Sequence, residues 1–219
     1  MAINPRPNAH EVDWSVYLVT DPLLVGNRNL TEVVEAAIRG GVRVVQYRDK
    51  DASTRKMVAT AAELATVCRR MGAWFLVNDR LDVALAADAA GIHVGQDDMP
   101  VATARRLLGP DKLLGVSVHN EAEIRQAEID GADHVSLSPV FATPTKPDHQ
   151  APLGLEGVRR LSRLAHVPVI AIGGIHAGNA AEVIRAGARG ICVVSAIIAT
   201  PDPELAAREL KGAVTGTPP

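Results

Sequence analysis

Gln46, Arg48 and Lys50 alternate along the run Gln46-Tyr47-Arg48-Asp49-Lys50. In an extended strand end, that alternation puts an amide and two cations on one face, where they could converge on a polyanion. A solvated charged loop is the competing reading. The chain has five lysines against eighteen arginines, and two of the five, Lys50 and Lys146, lie in polar runs of this kind. That usage fits a compact point charge directed at phosphate. Asp79 and Asp98 directly precede the helix-like runs 80–88 and 99–108, so N-capping is their competing use. As a pair they suit Mg²⁺, which takes one or two carboxylates and completes its octahedron with water and phosphate oxygens. Cations beside a two-carboxylate metal site point to a diphosphate.

These residues need a scaffold that brings distant segments to one place. Short β-rich runs at 16–20, 42–47, 74–78, 91–94, 113–118, 134–137, 169–172 and 190–194 alternate with stretches of helical period, such as Leu30, Val33, Val34, Ala37 and Ile38. Glycines at 40–41, 72, 131 and 187 fall where helices would end and turn back into the next strand. The runs are apolar on both faces, as buried parallel strands must be. Eight such units predict a single-domain (β/α)8 barrel, the TIM-barrel class, over 13–211, with flexible arms at 1–12 and 212–219. A doubly wound dinucleotide fold competes, but no G-x-G-x-x-G turn follows the first strand.

In a barrel, chemistry belongs just after the strands. Gln46, Arg48 and Lys50 follow the second strand, Asn78 and Asp79 the third, Gln96 to Asp98 the fourth, and Ser117 and His119 the fifth. Gly173-Gly174 and Val194-Ser195 follow strands seven and eight, where barrels bind phosphate through backbone N–H groups. A tight turn and a capping hydroxyl are the competing uses. The loop Thr143-Pro144-Thr145-Lys146 would add hydroxyls and a cation.

Composition excludes several functions. At 47% hydrophobic and 22% charged, 219 residues can bury a sizeable core. Six aromatic residues are too few for platforms that stack single-stranded nucleic acid. A net charge of -2 gives no overall field toward nucleic acid or an anionic membrane. Cys68 and Cys192 read as reduced core thiols, and no secretory signal or membrane-spanning apolar run is visible, so a cytoplasmic location is expected. The Asn29-Leu30-Thr31 sequon is then a chance match at a helix start. Oligomeric state is not readable, and a homo-oligomer stays open.

Taken together, Tyr17-Leu-Val-Thr-Asp21, Gln46-Tyr-Arg-Asp-Lys50, Val77-Asn-Asp-Arg80, Gly91-Ile-His-Val-Gly-Gln-Asp-Asp98, Gly115-Val-Ser117, Ser138-Pro-Val-Phe-Ala-Thr-Pro-Thr-Lys146, Ala171-Ile-Gly-Gly-Ile175 and Val194-Ser-Ala-Ile197 resemble the thiamine-phosphate synthase family. The resemblance implies a (β/α)8 barrel that joins an aminopyrimidine methyl diphosphate to a thiazole ethyl phosphate, releasing pyrophosphate. It implies that the run Gln46, Tyr47, Arg48, Asp49, Lys50, with Asn78, Ser117 and Lys146, holds the pyrimidine diphosphate. Arg48, Lys50, Ser117 and Lys146 would serve the chemistry, and Asp79 and Asp98 would ligate Mg²⁺. Thr143, Pro144, Thr145, Gly174, Val194 and Ser195 would bind the thiazole phosphate. The implied mechanism is dissociative and needs leaving-group stabilisation more than a general base. None of the seven histidines reads as a base held by an orienting partner. The sixth strand departs from the family pattern at His134, Ser136 and Ser138. Those departures admit a thiazole tautomerase on the same barrel, but the cation run and both aspartates favour the synthase. A non-catalytic phosphate-binding barrel would need neither aspartate.

Overall fold

Alternation decides which side of each strand meets which layer, and it runs in phase around the molecule. The computed structural model describes residues 8–143 and 151–216. Its strands are β1 (Val16–Val19), β2 (Val44–Tyr47), β3 (Trp74–Asn78), β4 (Gly91–Val94), β5 (Leu113–Val118), β6 (His134–Leu137), β7 (Val169–Ile172) and β8 (Gly190–Val193). All neighbours pair in parallel, and β1 pairs with both β2 and β8, closing the barrel. The expected (β/α)8 fold is therefore present. Of the expected strands, the second begins two residues later, at Val44, and the first and last each stop one residue earlier.

The helices are α1 (Pro22–Val25), α2 (Leu30–Arg39), α3 (Thr54–Met71), α4 (Leu81–Ala86), α5 (Val101–Leu108), α6 (Glu121–Ile129), α7 (Gly154–Ser162), α8 (Ala177–Arg185), α9 (Ser195–Ile198) and α10 (Pro203–Thr215). Outward strand residues such as Val45, Val77, Ile92, Val116 and Leu137 pack with helix residues in one large apolar cluster. Inward residues Tyr17, Val44, Leu76, Leu113, Ile170 and Cys192 form a second cluster inside the barrel. Burial on both faces is what a parallel sheet covered by helices requires. Cys68 lies in the outer layer, Cys192 in the inner one, and both thiols are free and buried. Asn29 caps α2, accepting from the N–H groups of Thr31 and Glu32.

Trp14 closes the strand-entry end of the barrel. Its indole N–H donates to the Ala9 carbonyl at 2.7 Å, and Ala9 and Val12 are buried beside it. The expected arm at 1–12 therefore does not extend to residue 12: 8–12 form part of the floor, and 1–7 lie outside the described residues. At the other terminus α10 continues to Thr215, because Ala213 and Val214 extend the face that packs on the core. The expected tail from 212 is thus helical for its first four residues. Among the described residues, no helix is long and apolar enough to cross a membrane.

Candidate active site at the barrel mouth

The inward face of the strands changes from apolar to polar toward their C-terminal ends. There it encloses a cavity of about 370 Å³, within the range of small-molecule sites. Gln46, Arg48, Asn78 and Ser117 line it from β2, β3, β5 and the turn after β2. The Gln46 amide N–H donates to the Tyr17 hydroxyl at 2.6 Å, which leaves its carbonyl oxygen as an acceptor for a ligand. Thr20 Oγ1 accepts from the Arg48 backbone N–H at 3.0 Å and so holds the turn that carries this guanidinium. His93 of β4 also lines the cavity, with Nε2 3.0 Å from Ser117 Oγ.

Asp79 and Asp98 stand together at the rim of this mouth. Asp79 has φ of +59°, a left-handed conformation that few residues besides Gly, Asn and Asp adopt. Its N–H donates to the His93 carbonyl at 2.8 Å, extending the β3–β4 ladder by one residue. Neither aspartate caps a helix: the N-caps of α4 and α5 are Arg80 and Pro100. Asp98 Oδ2 instead accepts from Gly95 N–H at 2.8 Å, while Gln96 ties the same loop to the Ser117 carbonyl at 2.7 Å. Burial pushes the Asp79 carboxyl up to about 6, and the hydrogen bond and charge of Asp98 push the same way. Lys50 Nζ, 3.7 Å from Asp79 Oδ2, and Asn78 act in the opposite direction. Two carboxylates in contact, with a cation beside them, form a donor set a hard divalent cation fits. Among the described residues, no third His, Cys, Asp or Glu completes a metal cluster. A Mg²⁺ held here would have to take its other ligands from water or substrate oxygens.

The opposite side of the cavity is built from backbone. Gly173 and Gly174 have φ of +106° and +63°. An added Cβ would lie 2.7 Å from Pro139 Cβ at the first and 2.7 Å from the Ala142 carbonyl at the second. Only glycine allows this approach. The segment after β6 is stitched to this turn by Val140 N–H to Ile172 O at 2.8 Å and Phe141 N–H to Gly173 O at 3.0 Å. Those bonds bring Thr143 to the cavity wall beside Gly174, Val194 and Ser195. Arg28 donates to the carbonyls of Thr200 and Ile198, holding the far end of α9.

Most of the residues expected to act together do meet here: Gln46, Arg48, Asn78, Ser117, Thr143, Gly174, Val194 and Ser195 line one cavity, and Lys50, Asp79 and Asp98 meet at its rim. Tyr47 and Asp49 do not join them. Strand alternation turns Tyr47 outward, where it packs in the strand–helix layer, and Asp49 Oδ1 accepts from Asp51 and Ala52 N–H in a local turn. Pro144, Thr145 and Lys146 lie outside the described residues. Thr20, Asp21, His93 and His176 line the cavity without having been singled out; for His93, alternation within β4 marks an inward-facing position but not what the ring meets. Ser136 and Ser138 line the cavity as well, whereas His134 is buried beneath its floor.

Fold and mouth together define a class: a (β/α)8-barrel enzyme with carboxylates and cations at one side of its mouth and a glycine-built backbone turn at the other. The family model described as thiamine monophosphate synthase matches residues 16–197. The chain is 57% identical over 209 residues to the thiamine-phosphate synthase of Chloroflexus aurantiacus, covering 95% of this chain and 96% of the relative. It is 46% identical over 202 residues to that of Moorella thermoacetica, covering 92% and 96%. A solved thiamine phosphate pyrophosphorylase from Pyrococcus furiosus superposes with a TM-score of 0.86 at 37% identity, covering 94% of this chain and 98% of that one. A 3-hexulose-6-phosphate synthase, at 18% identity and a TM-score of 0.66, shares the fold. The chain belongs to the thiamine monophosphate synthase family and is a transferase of thiamine biosynthesis.

Proposed function

We propose that this enzyme condenses 4-amino-2-methyl-5-(diphosphooxymethyl)pyrimidine with a thiazole ethyl phosphate, giving thiamine phosphate and pyrophosphate. The observation that carries the reading is the pairing of Asp79 and Asp98 beside Lys50, across one cavity from the Gly174 and Ser195 turns. A tautomerase has no diphosphate to hold and would not need that pair.

In this reading Arg48 and Lys50, with Lys146 from outside the described residues, bind the diphosphate oxygens. Gln46, Asn78 and Ser117 offer complementary donors and acceptors to the aminopyrimidine edge. Thr143, Pro144, Thr145, Gly174, Val194 and Ser195 hold the thiazole phosphate; Tyr47 and Asp49 are left out of the binding set. Asp79 and Asp98 would hold Mg²⁺, which when bound neutralises charge on the departing diphosphate. The methylene carbon–oxygen bond breaks with its electron pair leaving on pyrophosphate, and the lone pair of the thiazole nitrogen forms the new carbon–nitrogen bond. No proton moves in either event, so the chain needs alignment and anion stabilisation rather than a base. Two free buried thiols suit a reducing cytoplasm, where we place the reaction.

The test is pyrophosphate release by the purified chain given both substrates, with and without Mg²⁺. Metal-dependent release that also requires the thiazole phosphate is expected. No release with both substrates and metal present would end the proposal.

A further inference from the structure

Ser117 is the hydroxyl that this reading places against the pyrimidine, and a serine hydroxyl is a free rotor unless something holds it. His93 is set to hold it. The imidazole is buried, 6% exposed, and its Nε2 lies 3.0 Å from Ser117 Oγ. The ring is wedged into place by its neighbours in the ladder. His93 of β4 pairs in register with Gly115 of β5, which pairs in turn with His134 of β6. A Cβ on Gly115 would lie 2.4 Å from His93 Nδ1 and 2.3 Å from His134 Nε2, so the two rings occupy the space that any other residue would fill. His134 is wholly buried below His93, with ring centroids 5.5 Å apart, and lies 4.3 Å from the Trp14 ring, which is itself tied to Ala9. A side chain packed from the barrel floor upward keeps one orientation, and its Nε2 edge meets the reacting face through Ser117.

We propose that His93 is a positioning residue for the synthase reaction, fixing the direction of the Ser117 hydroxyl toward the pyrimidine. The inference rests on the functional reading above, in which Ser117 touches that substrate. It acts in either tautomer, because the imidazole occupies one of the few hydrogen-bonding positions of the hydroxyl and leaves the rest directed at the cavity. Preorganisation of this kind is worth up to the roughly 10²-fold that a misplacement of about 1 Å can cost.

Steady-state kinetics of the full-length enzyme, with each substrate varied in turn, test it. Glutamine can put an amide where imidazole Nε2 lies, whereas asparagine reaches only the Nδ1 position. His93→Asn and His93→Leu should therefore lose about tenfold or more in kcat/KM for the pyrimidine diphosphate, His93→Gln should recover most of the loss, and the KM for the thiazole phosphate should not move. In a Ser117→Ala background, His93→Asn should cost less than about twofold further, since a residue acting through Ser117 has nothing left to orient. Additive losses in the double variant, or equal rates for the Gln and Asn variants, would overturn the positioning role and leave the synthase reading standing. A Ser117→Ala enzyme at the parent rate would instead remove Ser117 from the reaction and the inference with it. The Gln–Asn contrast holds polarity nearly constant, so it decides the matter even if His93→Leu does not fold.

Discussion

Asp98→Asn should stabilise the metal-free protein while removing its use for metal. Asp79 binds its proton more tightly in the folded chain, at about 6 against 3.8 when unperturbed. Stability from that proton is fully present below the unfolded value, declines as pH rises, and is lost above about 6. Above that pH the folded protein carries a penalty of roughly 3 kcal/mol, from 1.36 kcal/mol per pH unit over a shift of about two units. Burial, the largest cause, survives the substitution; the hydrogen bond and charge of Asp98, the next two, do not. Asparagine keeps an oxygen for the Gly95 N–H, so the loop retains its local bond. Lys50 is more than half exposed, and its attraction to Asp79 offsets little. About 1–2 kcal/mol should therefore be recovered near pH 7.5, a rise in Tm of about 2–8 °C for a domain of this size. Thermal melts in chelator at pH 7.5 and pH 4.5 read this directly. The variant should melt above the parent at pH 7.5, the gap should shrink at pH 4.5, and Mg²⁺ should raise the Tm of the parent more than that of the variant. A variant that folds normally but melts at or below the parent at pH 7.5 would refute the stored repulsion, and with it this account of the carboxylate pair.

Gly174→Ala should impair thiazole phosphate use selectively. The new methyl meets the Ala142 carbonyl at 2.7 Å in a left-handed turn, so the turn must move, and KM for that substrate should rise about tenfold or more; an unchanged KM would separate this turn from the phosphate. Asp133→Ala should cost about 3 kcal/mol, near the lower end for breaking a buried pair, because the Arg105 guanidinium keeps the carbonyls of Gly109, Lys112 and Gly131. Chemical denaturation should give that loss with little change in kcat, and a midpoint equal to the parent's would make the pair dispensable.

Much of the barrel was readable because its information is local. Period-two alternation, helical period and glycine at helix ends are properties of a few neighbouring residues, and they placed all eight strands to within two residues. The same alternation carried the site: Gln46 and Arg48 turn into the cavity for the reason Tyr47 turns out of it. Tertiary structure decided what each polar residue does once there. Helix-like sequence after Asp79 and Asp98 reads equally as a request for caps, and only the left-handed turn at Asp79 and the loop bond from Gly95 to Asp98 free both carboxylates to face each other. His93 carries no local mark of its role. Its partner Ser117 and the His134 ring that wedges it lie one and two strands away. Which hydroxyl an imidazole meets is set by strand register and by a glycine between two rings, and register between strands exists only once the barrel has closed.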